Sequence, residues 1–223
     1  MLKPEAPDPF DLIRATVEAE LAAPGVLAVT SALNGDGKTG VTAGLAHALA
    51  KAGYRTLAID VAGTAPGALS VEAAAALPAE SARKTNSGCD VLSIVPAQAR
   101  TASAVAIAAL YEQTRTHYDY TIVDAALISG GGLAFARGAD GVVLALRAGR
   151  AIAAADRDAT DLFARLNVRV LGVVATREDR SRGSAHGASL MDRLHSQPRA
   201  VPTVSGETVR AAGLARFFSR SAI

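Results

Sequence analysis

The stretch Val26-Leu27-Ala28-Val29-Thr30-Ser31-Ala32-Leu33-Asn34-Gly35-Asp36-Gly37-Lys38-Thr39-Gly40 decides the fold. Its apolar opening predicts a buried strand, a glycine-containing turn follows, and a helical pattern runs over Thr39–Ala52. Strand, glycine turn and helix in that order make a phosphate-binding loop. Consecutive backbone N–H groups can curl around an anionic phosphate, and glycine permits the unusual backbone angles and close approach this requires. The N-terminus of the helix adds its partial positive charge. Nucleotide contacts are expected from Asn34, Gly35, Asp36, Gly37, Lys38, Thr39 and Gly40. Lys38 would reach the outer phosphates, and the Thr39 hydroxyl suits Mg²⁺. Ala32 stands where this motif usually opens with glycine.

The rest of the chain supplies a scaffold of the right kind. Its 223 residues can bury a substantial core, with half of them apolar but only 4% aromatic. That core must therefore be built mainly from Ala, Val, Leu and Ile. The net charge of +2 argues against a dedicated nucleic-acid binder, so no nucleic-acid partner is expected. Arg makes up 19 of the 23 basic residues, a skew that matches the heavy use of Ala as compositional bias. The single cysteine, Cys89, excludes an internal disulfide and reads as a small buried or half-buried side chain. No apolar run is long enough to cross a bilayer, and the opening MLKPEAPDPF lacks the character of a secretion signal. A cytoplasmic chain is expected.

Residues 1–9 read as a disordered tail and 10–223 as one domain, with 178–223 the divergent part. Phe10, Ile13, Val17 and Leu21 mark an amphipathic helix ending before Pro24-Gly25. Strand-like runs recur at Val26–Ser31, Arg55–Asp60, Asp90–Pro96, Tyr120–Asp124, Gly141–Arg147 and Val168–Thr176. Most lack polar alternation, as strands buried on both faces of a parallel sheet do. Helical patterns at Thr39–Ala52, Ser103–His117 and Ile152–Leu166 separate them. The expectation is a doubly wound α/β fold, with a mainly parallel sheet and helices on both faces. Leu77–Gly88 and Arg177–Gly187 read as loops. One or two helices are expected beyond 188, and the Gly130-Gly131-Gly132 run reads as a turn before a helix. From Arg177 to Ile223 there are eight Arg and four acidic residues, which fits either a solvated basic face or contact with an anionic membrane or partner.

A nucleotide site also needs carboxylates to hold Mg²⁺ and order the nucleophile. Asp60 ends the strand after the loop's helix, and Asp124 ends another in Thr121-Ile122-Val123-Asp124. Ligands of open α/β sheets sit at those carboxyl ends, where both side chains can converge on the phosphates. Each aspartate alone could equally cap a turn. His47, His117, His186 and His195 show no metal-ligand spacing.

With these motifs in order, the chain resembles the deviant Walker-A ATPases related to MinD and ParA. Within them it is most similar to the bacterial tyrosine kinases (BY-kinases) of capsule and exopolysaccharide synthesis. The family loop reads roughly S-A-x-P-G-E-G-K-[ST], against Ser31-Ala32-Leu33-Asn34-Gly35-Asp36-Gly37-Lys38-Thr39 here. The likeness continues through Ala52–Asp60, Cys89–Leu92, His117–Asp124, Ala139–Leu144 and Val170–Val174. MinD and ParA relatives carry a second, signature lysine that would fall on Leu33, and its absence favours the kinase branch. The resemblance implies ATP and Mg²⁺ as cofactors, Lys38 and Asp60 as catalytic residues, and Thr39, Asp60 and Asp124 as metal ligands. It places Thr176-Arg177 where relatives carry an Asn-Arg pair near the base, which offers Arg177 as a nucleotide contact.

Several departures bear on activity. The family's D-x-D and arginine read Asp60-Val61-Ala62-Gly63-Thr64, so the second carboxylate and the arginine are replaced by Ala62 and Thr64. Its D-x-P-P reads Asp124-Ala125-Ala126-Leu127, and its N-terminal E-x-x-R-x-x-R is reduced to Asp11, Arg14 and Val17. Relatives end in a tyrosine cluster phosphorylated by a neighbouring copy, whereas the four tyrosines here are Tyr54, Tyr111, Tyr118 and Tyr120. Tyr118 and Tyr120 are better explained by packing. The resemblance therefore implies an ATP-binding protein of polysaccharide assembly with weak or altered phosphotransfer. Its expected partner is a membrane-bound polysaccharide co-polymerase or export protein that holds it at the inner face of the membrane, with a homo-oligomer or dimer as a further possibility. The alternatives are a catalytically degenerate, nucleotide-gated adaptor of that partner and a ParA/MinD-like positioning ATPase.

Overall fold

Six of the apolar runs form the parallel part of one seven-stranded sheet. The computed structural model describes residues 8–61, 67–149, 151–176 and 190–195. In chain order its elements begin with α1 (Pro9–Glu20), β1 (Gly25–Thr30), α2 (Lys38–Lys51), β2 (Thr56–Asp60), α3 (Val71–Ala76) and α4 (Pro78–Ser81). Next come β3 (Arg83–Lys84), β4 (Asp90–Ser93), α5 (Pro96–Ala99), α6 (Ala104–His117) and β5 (Tyr120–Asp124). A 3₁₀ turn (Ile128–Gly130) leads to α7 (Gly132–Gly138), β6 (Gly141–Arg147), α8 (Ala154–Arg165), β7 (Val170–Thr176) and α9 (Leu190–His195).

The sheet order is β3-β4-β2-β5-β1-β6-β7, with β3 antiparallel to β4. Strand β1 lies between β5 and β6, so the chain leaves it at the point where the winding turns from one side of the sheet to the other. A crevice opens at the strand C-termini of such a switch point. Period-two alternation is present but hidden, because both sheet faces are apolar. Val26 and Ala28 of β1, Leu57 and Ile59 of β2, and Val142 and Leu144 of β6 pack with Ile107, Tyr111, Phe135 and Phe163. Leu27 and Val29, Ala58, and Val143 and Ala145 face the other way, toward Phe10, Val17, Leu45 and Leu49. The expected α/β architecture with helices on both faces is the one observed.

Most expected elements stand within two residues of their reading. Asp8 and Pro9, read with the N-terminal tail, instead open α1: the Asp8 carboxylate accepts the Phe10 N–H at 2.9 Å and Pro9 occupies the first helical turn. The span Leu77–Gly88, read as a loop, holds α4 and the two-residue β3. Pro78 starts the helix, and β3 exists through its pairing with β4, Arg83 with Val91 and Lys84 with Asp90. Ile94 makes an isolated parallel bridge to Leu69, so β4 stops at Ser93 and a helix begins at Pro96. The triple glycine is the expected turn before a helix: Gly130 ends the 3₁₀ turn, Gly131 takes a left-handed conformation, and Gly132 opens α7. The loop reading of Arg177–Gly187 lies outside the described residues.

Helices α1 and α2 meet at Gly44, where an added Cβ would run into the Phe10 ring. Alanine is worth about 1 kcal/mol more than glycine in a helix interior. Overpacking a buried contact costs about 1–3 kcal/mol. Because Phe10 is buried, the second effect should win. Gly44→Ala is expected to lower the stability by about 1 kcal/mol or more in a denaturant titration. A stabilised variant would show that the α1–α2 contact is loose.

Candidate functional site

The loop between β1 and α2 is held by its glycine conformations and by bonds to β6 and β7. Gly35 (φ 80°) and Gly37 (φ 83°) take left-handed conformations open mainly to glycine. At Gly35 an added Cβ would meet nothing, so only the backbone angle demands glycine there. At Gly37 it would also strike the Thr176 side chain at 2.9 Å. The Thr176 hydroxyl donates to the Asp36 carbonyl at 3.0 Å, and the Asp36 carboxylate accepts the Arg147 N–H at 3.2 Å. Two bonds thus tie the loop to the ends of β7 and β6. Asp36, read as a nucleotide contact, has a buried carboxylate engaged with β6, which leaves its backbone N–H as the group to offer an anion. Asn34 and Gly35 are exposed at the tip of the turn.

Helix α2 then begins with no side-chain cap and no acidic residue in its first turn. Its first N–H groups have no partner within the helix, and its dipole favours an anion at this end. Lys38 lies beside the loop with its Nζ donating to Ser31 Oγ at 3.1 Å, and Ser31 Oγ donates in turn to the Leu33 carbonyl at 2.7 Å. Burial lowers the Lys38 pKa from its ordinary value, against the attraction of Asp124 and Asp36.

Asp60 and Asp124 are register partners on adjacent strands, and both side chains are buried. Burial raises the Asp124 carboxyl to about 7, with Asp60 adding to the rise and the Thr39 hydroxyl, Lys38 and Arg193 opposing it. Asp124 Oδ1 has no hydrogen-bond partner. A buried, hydrogen-bond-starved carboxylate oxygen beside a threonine hydroxyl and a second aspartate is an all-oxygen donor set of the kind a hard cation such as Mg²⁺ takes. No group of three or more His, Cys, Asp or Glu that could hold a metal occurs among the described residues. Mg²⁺ is held by one or two carboxylates and completes its shell with waters and phosphates.

The structure thus brings Lys38, Thr39, Gly40, Asp60 and Asp124 to one pole of the sheet. Arg177, Ala62 and Thr64 lie outside the described residues. One contributor escaped the sequence reading: Arg193 of α9, whose Nη1 would lie 3.9 Å from a Cβ on Gly40. Nothing in its local sequence signals this, because its place follows from how α9 packs on α2.

Tyr118 and Tyr120, read as packing groups, are that, and Tyr111 joins them in the core. Tyr111 donates to the Phe135 carbonyl at 3.0 Å, Tyr118 to Asp90 at 2.9 Å and Tyr120 to the Leu21 carbonyl at 3.1 Å, and all three are buried. Burial raises the Tyr111 and Tyr118 hydroxyl pKa values well above the ordinary range. Burial likewise raises the Cys89 thiol, which removes it from nucleophilic chemistry. Val17 is buried in the core beside α2, while Arg14 pairs with Glu18 at 2.6 Å and lies 3.8 Å from Asp11. No helix of the described residues is long and apolar enough to cross a membrane.

The chain belongs to the CobQ/CobB/MinD/ParA nucleotide-binding domain family (CbiA), whose profile matches residues 27–210. No curated protein matches its sequence. Among solved structures it is similar to the chimerical protein CapA2B2, with 23% identity, a TM-score of 0.62, and 74% of this chain and 81% of that one covered. It is also similar to the kinase domain of the Escherichia coli tyrosine kinase ETK, with 20% identity, a TM-score of 0.61, and 78% and 75% covered. Cobyrinic acid a,c-diamide synthase from Mycobacterium smegmatis, solved with bound ADP and magnesium, has 19% identity, a TM-score of 0.58, and 76% and 79% covered. At these identities the likeness shows the shared fold alone, a mostly parallel, MinD/ParA-like architecture; the family itself is one of nucleotide-binding domains.

The Asp124 carboxyl gives a pH dependence with a definite sign. Its folded-state pKa of about 7 lies above the ordinary 3.8, so the folded protein holds a proton that the unfolded chain releases. Stability of the nucleotide-free protein is therefore expected to fall as pH rises through that window, and to level off above it. Asp124→Asn removes this contribution. Between about pH 5 and 7.5 its thermal midpoint should drop less than that of the wild type, and parallel profiles would refute the assignment.

Proposed function

We propose that this member of the CobQ/CobB/MinD/ParA family binds ATP with Mg²⁺ and acts as a relative of the bacterial tyrosine kinases in capsule or exopolysaccharide assembly. The observation that carries the reading is the convergence of Lys38, Thr39, Asp60 and Asp124 at the uncapped start of α2. The backbone N–H groups of residues 34–40 would cradle the phosphates, and Lys38 would reach the outer ones. Thr39, Asp60 and Asp124 would hold Mg²⁺, which supplies neutralisation of phosphate charge. In this reading Asp60 would orient an acceptor hydroxyl and take its proton. Motif resemblance supports the kinase branch, through Asn34–Lys38 and the apolar Leu33, and kinase domains stand among the structural neighbours. A membrane-bound co-polymerase or export protein is the partner this reading requires, with the chain peripheral at the cytoplasmic face and Arg177 a contact to the base.

One observation favours a second reading. Tyr111, Tyr118 and Tyr120 are locked in the core by burial and hydrogen bonds, so none of them can serve as an acceptor without unfolding. A nucleotide-gated adaptor, with binding but no transfer, fits that burial.

Titration calorimetry and transfer of labelled γ-phosphate separate the possibilities. Mg·ATP is expected to bind the wild type, and Lys38→Met to weaken it about tenfold to a hundredfold, the worth of one charge-assisted hydrogen bond. Label carried by the wild type and lost in Lys38→Met supports the kinase. Binding without label supports the adaptor, and failure to bind any nucleotide sinks both.

A further inference from the structure

Arg193 belongs to none of the motifs that carry the nucleotide reading, yet α9 delivers it to the phosphate pole of α2. Leu190 and Leu194, one helical turn apart, are both buried in the apolar layer that includes Val41 and Leu45 of α2. They fix α9 on that helix and leave Arg193, three residues after Leu190, on the neighbouring face. Its guanidinium lies beside Gly40, in the first turn of α2 and one residue past Thr39. It is also close enough to Asp124 to act on that carboxylate through its charge. Arg193 therefore stands on the side of the loop where Lys38, Thr39 and the two aspartates gather, the side where the proposed nucleotide would carry its outer phosphates.

Between Ser31 and Gly40 the loop supplies one cation, Lys38. A triphosphate with one metal ion brings more negative charge than that cation balances, into a site that already holds two buried carboxylates. A guanidinium offers a planar fork of N–H donors that matches phosphate oxygens two at a time, which a lysine does not. Gly40 has no side chain to stand between that fork and the start of the helix.

We propose that Arg193 is a phosphate-binding residue supplied by the chain's own C-terminal part. Its fork takes the outer phosphate oxygens, so that a triphosphate pins α9 to α2 more firmly than a diphosphate does. The proposal rests on the nucleotide-binding reading, and its test keeps the two apart. Dissociation constants of the full chain for Mg·AMPPNP and Mg·ADP are measured by calorimetry for the wild type, Arg193→Gln and Arg193→Lys. Gln keeps most of the side-chain stem, so α9 can still seat, and the thermal midpoint without nucleotide reports whether it does.

The expected result is an AMPPNP affinity about tenfold weaker in Arg193→Gln with ADP changed about threefold or less. Arg193→Lys should recover part of the loss. Equal weakening of both nucleotides, or no weakening, overturns the role of Arg193 while leaving nucleotide binding intact. A wild type that binds neither nucleotide overturns the nucleotide reading itself, and this proposal with it.

Discussion

The register of three strands governs the site. Asp124 on β5 is the partner of Asp60 on β2 and of Val29 on β1, so both carboxylates and the mouth of the phosphate loop lie at one level. Two buried carboxylates at neighbouring positions repel each other, and left to their side chains they would separate. The backbone ladder forbids it. Slipping one strand by a single residue would turn its aspartate to the opposite face of the sheet and bring an apolar neighbour to the site. The sheet is thus the component that holds charges together against their own preference, and the nucleotide with its metal is the component that would relieve them.

The loop illustrates a different division of labour. Its acidic residue, Asp36, sits in the middle of a motif for anions, where a free carboxylate would oppose binding. Turning it onto the Arg147 N–H converts a liability into an anchor. Thr176 completes the attachment from β7, both through the Asp36 carbonyl and by filling the space beside Gly37. The shape of the loop therefore depends on two strands far from it in sequence, and the end of β7 is mechanically continuous with the phosphate site.

How much could be read from the sequence follows from how local each signal is. The shape of the loop and the positions of Asp60 and Asp124 are legible because strand, turn and helix signals are adjacent in the chain, and because an aspartate at a strand tip falls at the crevice of an open α/β sheet. The two-residue β3 was not legible: it has no pattern of its own and exists only by pairing with β4. The helix at Pro78–Ser81 was obscured by the same proline and polar residues that suggested a loop. The anchoring role of Asp36 and the position of Arg193 are both tertiary facts. Each depends on contacts with elements more than a hundred residues away, for which no period or spacing gives notice.

The buried tyrosines have an optical consequence. The chain has no tryptophan, so its intrinsic fluorescence comes from four tyrosines. Tyr54 and Tyr120, whose rings meet edge to face with centroids 5.0 Å apart, lie with Tyr118 near the strand N-termini, across the sheet from the phosphate loop. Tyr111 is enclosed between α6 and α7. Ultraviolet emission will therefore report loss of the core while staying nearly silent to events at the nucleotide pole. A chromophore carried by the nucleotide, or placed near α9, is needed to see those.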